Sequence, residues 1–262
     1  MHRLRNQILL FVPTAAAALT ALGLHRYMME TCIDDMGLLI GGNLPGKLLW
    51  VLTIGFVGYL LILLSTLGGR GGYGDNFPRN ILCGLLMAVA GGVLLLSARD
   101  LSVVPGVSVP VQTQALAGFM VVLTDSAMVV LPWLSGAAMV VLGLMRMTGR
   151  KPLFLFSGIL CLFYMLTLIR SYRLWSADPQ LHAYCFQLLA MVLLLLCSFH
   201  RTCCDAGVIQ RRKLLFTAMT AVVCSAAALS SCFQPGFFLA SALWALGCGC
   251  DPVVLPPDPE EE

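Results

Sequence analysis

A single carboxylate, that of Asp125, lies inside a long hydrophobic stretch that runs from Ala115 to Met147. Ionisable groups in such stretches usually face a protein interior, pair with an opposite charge, or lie on the path of an ion or solute. Thr124 and Ser126 flank the carboxylate and add two hydroxyls. Because Asp is also a good N-terminal helix cap, a structural role is the alternative. Asp125 is therefore predicted either to bind a ligand, or to be solvated at the membrane interface or cap the fourth helix.

Four further polar side chains are predicted to share the outer face of the chain with Asp125: Arg170, Arg173, His182 and Gln187. These five residues are the predicted ligand-binding group, which receives a small solute. His182 and Gln187 are five positions apart and diverge by about 140° on a helix, so they need not line one cavity. Arg170 also has a structural explanation, because a long cationic side chain can extend toward the membrane–water interface.

Soft and borderline metal ligands are concentrated in one short segment that contains His200, Cys203, Cys204 and Asp205. Thiolate and imidazole groups favour zinc and copper. The spacing matches no known zinc pattern, and adjacent cysteines on a helix point about 100° apart, so a shared ion needs a ligand from another element. The alternative is that the thiols pack as small apolar groups. We predict no metal and no cofactor, with these four residues as the candidates if a metal binds.

Catalytic motifs of membrane enzymes are missing from the sequence: it has no H-E-x-x-H, no G-x-S-x-G, no phosphate-binding P-loop and no pair of intramembrane aspartates. The connecting loops are too short to hold a soluble catalytic domain. An enzyme of this sequence has to act within its apolar segments, for example on a lipid. A lipid-modifying enzyme is accordingly the least favoured class, and no catalytic residue is predicted.

Hydrophobic segments fill nearly the whole chain and must position these residues. Hydrophobic residues make up 59% of the 262 residues and charged residues 11%, against about 25% in soluble domains, and the mean hydropathy is +0.88. Backbone groups inside a bilayer must bond to one another, so a spanning segment is a helix or a barrel strand. The segments lack the alternation of barrel strands. The predicted fold class is all-α, a polytopic transmembrane helical bundle.

Eight stretches approach or reach the roughly 20 residues that cross a bilayer. The predicted spans lie near residues 4–24, 47–67, 80–98, 127–146, 153–171, 180–200, 213–232 and 235–250. Residues 113–124 are predicted to form an interfacial or partly re-entrant helix that leads into the fourth span. The eighth stretch starts at Pro235 and is short, so it either crosses or forms a re-entrant hairpin, which leaves seven spans. Residues 251–262 are predicted to be a disordered acidic tail.

The distribution of charge predicts the orientation. With one crossing between Ala115 and Met147, most basic residues fall in loops on the side of the N-terminus, whereas two crossings place the densest basic loops on the other side. Because basic loops stay in the cytoplasm, the N-terminus is predicted to be cytoplasmic, and eight spans return the C-terminus to the same side. The first stretch has the layout of a signal peptide, but it is long enough to span and is predicted to be retained. The expected location is the plasma membrane of a bacterium.

Small residues four apart let helix backbones approach in lipid, where no hydrophobic force drives helices together. Three pairs have this spacing, namely Ala17 with Ala21, Ala88 with Gly92, and Ala221 with Ser225. They predict tight contacts within the bundle, with another membrane protein, or with a second copy of the chain. Membrane lipids are the other expected partners, since the basic loop beginning at Arg211 suits anionic headgroups. No partner of the nucleic-acid class is expected.

Two resemblances to known families add expectations. The stretch WSADPQLHAYCFQLLA, from Trp175 to Ala190, together with the HRTCCDAG that follows, resembles uncharacterised multi-pass proteins of anaerobic Gram-positive bacteria. This resemblance implies a membrane fold and brings no catalytic residues with it. The A-x-x-x-A of Ala17 and Ala21 resembles a motif of the substrate-binding components of energy-coupling-factor transporters, which usually have six spans. That second resemblance implies a transporter subunit.

Three classes of function follow from these observations. The first is a small-solute transporter or transporter subunit in which Asp125 and its group receive the solute. Pro132, an interior break in the fourth span, favours a discontinuous helix of the kind that transporters use. The second class is a non-enzymatic assembly, sensory or scaffold protein whose small-residue faces bind another membrane protein. The third is the lipid-modifying enzyme. Transport is the leading hypothesis.

Overall fold

A computed structural model describes residues 2–32, 43–66, 79–102, 115–175, 181–208, 211–230 and 234–250. Its eight helices are α1 (His2–Thr31), α2 (Leu44–Thr66), α3 (Ile81–Ser102), α4 (Ala115–Thr148), α5 (Phe154–Trp175), α6 (Leu181–Asp205), α7 (Arg211–Ala228) and α8 (Pro235–Gly249). No strand occurs within the described ranges. The predicted fold class, an all-α helical bundle, is therefore confirmed. The predicted acidic tail lies outside the described residues.

Six of these helices are long and apolar enough to cross a membrane, namely α1 to α6. α7 has 18 residues and begins with three basic side chains. α8 has 15 residues, so it is about 22 Å long, less than the roughly 30 Å of a hydrocarbon core. Because six candidate spans follow one another along one chain, the protein is an integral, multi-pass membrane protein.

The fourth helix differs from the prediction. α4 runs without a break over 34 residues from Ala115 to Thr148, so the predicted interfacial or re-entrant helix at residues 113–124 is wrong from residue 115 onward. Pro132 lies inside α4 and does not interrupt it, so the expected discontinuity is also wrong. Continuing the helix is favourable because unpaired backbone groups are costly in lipid, and a single proline is tolerated there. α8 is likewise one helix and not a hairpin.

Six helices form a closed ring in the order α3, α4, α5, α6, α7 and α8, and α8 returns to α3. α1 packs against α7 from outside the ring, and α2 packs against α1. α7 is therefore enclosed, and from Leu214 to Ala228 every residue except Phe216 is buried. Inside the ring, Phe163 of α5 meets Phe237 of α8 with ring centroids 5.9 Å apart. The centre of the ring is packed with side chains.

Successive helices run in opposite directions, as hydrogen bonds between their ends show. The Tyr59 hydroxyl, late in α2, donates to the Leu9 carbonyl, early in α1, at 2.7 Å. The Asn80 amide, just before α3, donates to the Cys250 carbonyl, just after α8, at 2.9 Å. The Arg79 Nε donates to a carbonyl in the last turn of α4 at 2.7 Å. A Cβ atom at Gly249, the last residue of α8, would lie 3.9 Å from the Phe11 ring in the first third of α1, so the start of α1 and the end of α8 lie at the same end of the bundle.

We call this end the basic end, because the last turns of α2, α4, α6 and α8 and the first turns of α3, α5 and α7 meet there and bring most of the cations. Its basic residues in the described ranges are Arg3, Arg5, Arg79, Arg146, Arg150, Lys151, Arg201, Arg211, Arg212 and Lys213. The other end, where α1, α3, α5 and α7 finish, is called the opposite end. Any path through the ring joins these two ends.

Glycines bring the backbones of α3 and α4 into contact. Gly84 lies against Gly143, and Gly91 lies against Gly136, so the contacts repeat after seven residues on each helix. A Cβ atom at Gly91 would lie 2.6 Å from the Gly136 carbonyl oxygen, and one at Gly143 would lie 2.5 Å from the Gly84 carbonyl oxygen. Only glycine permits this approach, so α3 and α4 form a tight pair.

Of the predicted small-residue pair Ala88 and Gly92, only Ala88 lies in the contact between α3 and α4. A Cβ atom at Gly143 would lie 3.0 Å from the Ala88 Cβ, so Ala88 belongs to the contact between α3 and α4. A Cβ atom at Gly92 would meet nothing within 4 Å. The contact follows positions 84, 88 and 91 because residues three or four apart lie on the same face of a helix.

Candidate functional site

Asp125 and Arg170 come together at the opposite end of the bundle. The Arg170 Nε lies 3.9 Å from the Asp125 Oδ1, and their side chains are 8% and 34% exposed. Arg170 also donates from Nη1 to the Leu101 carbonyl at 2.6 Å, one of the last carbonyls of α3, which have no partner within their own helix. The capping alternative for Asp125 is wrong, because α4 already begins at Ala115. This carboxylate is half-buried and remains accessible to a ligand.

The other three residues of the predicted group lie on α5 and α6. Gln187 is buried on α6, and Arg173 is half-buried one turn beyond Arg170 on α5. His182 lies in the first turn of α6, and its side chain lies outside those that the structure describes. The structure brings Asp125 and Arg170 together and puts Gln187 inside the bundle. The grouping of all five residues stays a prediction.

A second charged group lies at the basic end, and we call Arg146, Arg201 and Asp205 the basic-end triad. All three residues are buried, with 1%, 1% and 5% of their surfaces exposed. The Arg201 Nε lies 3.1 Å and 3.3 Å from the two carboxylate oxygens of Asp205. Arg146 of α4 is close enough to attract the same carboxylate. The triad therefore ties α4 to α6 across the end of the ring.

Ser157 of α5 completes this arrangement. Its hydroxyl is within hydrogen-bonding reach of the Asp205 carboxylate, and the Phe154 carbonyl, at 3.0 Å, is the alternative acceptor. Three thiols lie nearby: Cys197 and Cys248 contact each other, and Cys83 is close to Cys248. All three thiols are fully buried, so they pack as small apolar groups.

The candidate metal ligands do not assemble into a site. Asp205 is engaged by Arg201, Cys204 is buried, and His200 and Cys203 are only half-buried. Within the described part of the chain, no group of three or more His, Cys, Asp or Glu side chains is arranged to hold a metal ion. The physical reason is that neighbouring positions of one helix point in different directions, and the carboxylate is already held by a cation.

Buried polar side chains on α5 lie between the two charged groups. Ser157, Tyr164, Thr167 and Arg170 are all buried, at 0%, 0%, 4% and 7% exposure. They fall within an arc of roughly 140° around the helix axis and span about 20 Å along it. The Tyr164 hydroxyl donates to the Ser241 hydroxyl of α8 at 3.1 Å. We call these four residues the polar arc of α5; it leads from Asp205 at one end to Asp125 at the other.

Other polar atoms on the ring helices are buried without a hydrogen-bond partner among the described residues. They are the hydroxyls of Ser135, Ser198 and Ser225 and the indole nitrogen of Trp244. Each such atom costs about 1–3 kcal/mol when it stays unpaired, so it normally contacts water or a ligand. These four atoms are therefore available to water or to a small polar ligand.

His25 of α1 is also fully buried. Its Nδ1 bonds to the Ser230 hydroxyl, and its ring meets Phe186 with centroids 5.6 Å apart. The Ser230 hydroxyl also lies 2.9 Å from the Ala227 carbonyl, so the tautomer of the ring decides which group donates in the contact with Nδ1. This contact fixes the end of α1 against the end of α7.

Sequence reasoning misses His25, Arg146 and Arg201 as site residues. The first has a signal in the sequence, because a histidine within an apolar stretch usually has a partner. Arg201 and Asp205 also have one, since residues four apart are neighbours on a helix. Arg146 has no comparable signal, because its neighbour belongs to α6 and the contact depends on how the helices pack.

Comparison of the chain with protein-family models, with curated proteins and with solved structures finds no match in any of the three. Neither resemblance described above gains support from these comparisons. Ala17 and Ala21, the residues of the A-x-x-x-A motif, are buried at 7% and 0% exposure, and their helix packs against α7 and α2. These two alanines therefore serve contacts within this chain.

Proposed function

We propose that this protein is a small-solute transporter, or a transporter subunit, whose path follows the polar arc of α5 through the ring. The observation that carries the proposal is this arc, because it joins Asp205 with its arginines at the basic end to Asp125 and Arg170 at the opposite end. Ionisable and polar groups buried at membrane depth commonly line the path of an ion or solute. The aromatic packing of the ring limits the solute to a small one.

The orientation belongs to the same proposal. Basic residues near the ends of spans favour the cytoplasmic side, and the cations of this bundle gather at its basic end. We infer that the basic end faces the cytoplasm of a bacterium, with the start of α1 and the end of α8 on that side. Asp125 and Arg170 then receive the solute from outside, and Asp205 lies at the inner exit.

A non-enzymatic assembly or scaffold protein is the second candidate. The contact of Phe163 with Phe237 and the burial of Trp244 favour it, because a packed centre suits a structural element as well as a narrow path. In that case the hydroxyl of Tyr164 only joins α5 to α8. The two candidate functions therefore predict different effects of removing this hydroxyl on the rate of solute transport.

The test uses the purified full-length protein in phospholipid vesicles. Stopped-flow light scattering measures how fast the vesicles swell in gradients of glycerol, urea or sodium acetate. Tyr164→Phe removes one hydroxyl from the polar arc, and Tyr172→Phe is its matched control because it removes the same group from an exposed position of the same helix. The change of about one hydrogen bond predicts an approximately fivefold change in swelling rate for the first variant and none for the second.

Wild-type vesicles that swell no faster than empty vesicles in all three solutes would contradict transport and favour the scaffold. If one solute is transported but the wild type and both variants give equal swelling rates, the transport path does not follow α5. Circular dichroism of the reconstituted variants checks that each is folded.

A further inference from the structure

A cleft of about 370 Å³ opens at the basic end between α2, α6 and α7. Leu61 and Leu64 of α2 and Phe216 of α7 form its apolar walls, while Arg212 and Lys213 of α7 and His200 of α6 bring polar nitrogens to it. The cleft is thus apolar on one side and cationic on the other. Its occupant must combine a negative charge with a hydrocarbon surface.

The two cations of the cleft are available for a ligand. Arg212 and Lys213 are exposed, and within the described part of the chain their side chains form no ion pair and no hydrogen bond. They are the second and third residues of α7, where the helix dipole adds a partial positive charge and the first backbone N–H groups have no helical acceptor. Charge complementarity therefore selects an anion.

The position of the cleft indicates which kind of anion binds there. α2 ends at Thr66, α6 ends at Asp205 and α7 begins at Arg211, so the cleft lies where the helices leave the hydrocarbon core. Leu61, which is 56% exposed, continues the apolar wall one turn toward the middle of the membrane. A soluble anion uses only the cations, whereas a phospholipid uses the cations for its phosphate and the apolar wall for an acyl chain. Basic pockets between helices at this depth are typical sites for anionic headgroups.

We propose that this cleft is a specific binding site for an anionic phospholipid. Arg212 and Lys213 hold the headgroup phosphate, and one acyl chain lies along Leu61 and Phe216. The lipid bridges α2 to α7, which otherwise meet mainly through α1. This site is separate from the polar arc of α5 and does not depend on the proposed transport.

Native mass spectrometry of the full-length protein tests the site by titration with dioleoylphosphatidylglycerol or with dioleoylphosphatidylcholine. The wild type should retain the anionic lipid in preference to the zwitterionic one. The double variant Arg212→Gln with Lys213→Gln should bind phosphatidylglycerol roughly 30-fold more weakly, since each cation near an anionic lipid contributes about fivefold. Its binding of phosphatidylcholine should not change.

The matched control is the double variant Arg150→Gln with Lys151→Gln, which loses the same two charges from exposed positions at the same end of the bundle. It should bind phosphatidylglycerol like the wild type. Leu61→Trp fills the cleft without changing any charge, and it should lose the lipid as well.

Equal losses in the two double variants would overturn the proposal, because the lipid would then follow surface charge alone. Displacement of phosphatidylglycerol by millimolar inorganic phosphate would also overturn it, since the site would then belong to soluble anions. A dimer of the chain that disappears with Leu61→Trp would assign the cleft to a second copy and reject the lipid.

Discussion

Asp205→Asn should destabilise the protein strongly, because it removes the one carboxylate of the basic-end triad and leaves two guanidinium groups buried. Asn has almost the same size as Asp and can still accept a hydrogen bond, so the packing around the site is preserved. The side chains of Arg201 and Asp205 are 1% and 0% exposed, and water cannot replace the lost charge. The effect therefore measures the electrostatics of the site and not a cavity.

The structure also gives the expected loss in the free energy of unfolding of Asp205→Asn. Two unit charges at the 3.1 Å between the Arg201 Nε and the Asp205 Oδ1 attract each other by about 5 kcal/mol with an effective dielectric constant of about 20. Removal of one partner from a buried ion pair typically costs about 3–5 kcal/mol. We expect a loss in this range, which lowers the ratio of folded to unfolded protein by roughly a hundredfold to several thousandfold.

Unfolding in mixed micelles of dodecylmaltoside and sodium dodecyl sulfate, followed by circular dichroism, measures this loss. Glu30→Gln is the matched control, since Arg26 and Glu30 form an ion pair with the same spacing of four residues but with 72% and 61% of their side chains exposed. Solvent screens that pair, so its loss should leave the unfolding midpoint unchanged.

A double variant distinguishes the effect of the lost charge from the effect of altered packing. Arg201→Met combined with Asp205→Leu removes both members of the pair, so it should be more stable than Asp205→Asn alone. If Asp205→Asn unfolds within about 1 kcal/mol of the wild type, the carboxylate is solvated and our description of a buried triad is refuted. If the double variant is the less stable of the two, packing and not charge dominates this end of the bundle.

Two further predictions concern packing and orientation. Gly91→Ala should destabilise the protein by about 1–3 kcal/mol in the same unfolding assay, because its Cβ atom lies 2.6 Å from the Gly136 carbonyl oxygen. Gly92→Ala meets nothing within 4 Å and should not destabilise it; equal effects would contradict the contact between α3 and α4. In single-cysteine variants, a membrane-impermeant maleimide applied to intact cells should label Cys32 at the opposite end and not Cys203 at the basic end, both of which are half-buried. Labelling of Cys203 alone would reverse the proposed orientation.

The sequence predicts the helices well because a bilayer imposes the same requirement on every span. Apolar length alone identifies all eight helices, including the short α8. The errors fall where a polar residue or a proline interrupts the apolar pattern, as at Asp125 and Pro132. A pattern cannot show that α4 continues through both positions, because the cost of breaking a helix in lipid exceeds the local preference of either residue.

The candidate site is predicted less completely, since its contacts join different helices. Asp125 stands out because it is a charge in an apolar stretch, and the structure gives it Arg170 as a neighbour. Asp205 appears in the sequence only as a weak candidate metal ligand, and its ion pair with Arg201 is not predicted. Which partner a buried carboxylate has depends on the rotation of each helix, and a single sequence does not encode this in a readable form.

Because α8 is synthesised last of the described helices, the ring stays open during part of its folding in the membrane. α8 closes the ring between α7 and α3, and the ribosome makes it after the other seven helices. Until α8 arrives, the Tyr164 hydroxyl lacks Ser241, and the Cys83 thiol lacks the Gly247 carbonyl to which it donates at 3.1 Å. The nascent chain then exposes the interior of an open ring sideways to the lipid. Mispairing and degradation should therefore compete with folding mainly in the interval between the insertion of α7 and the arrival of α8.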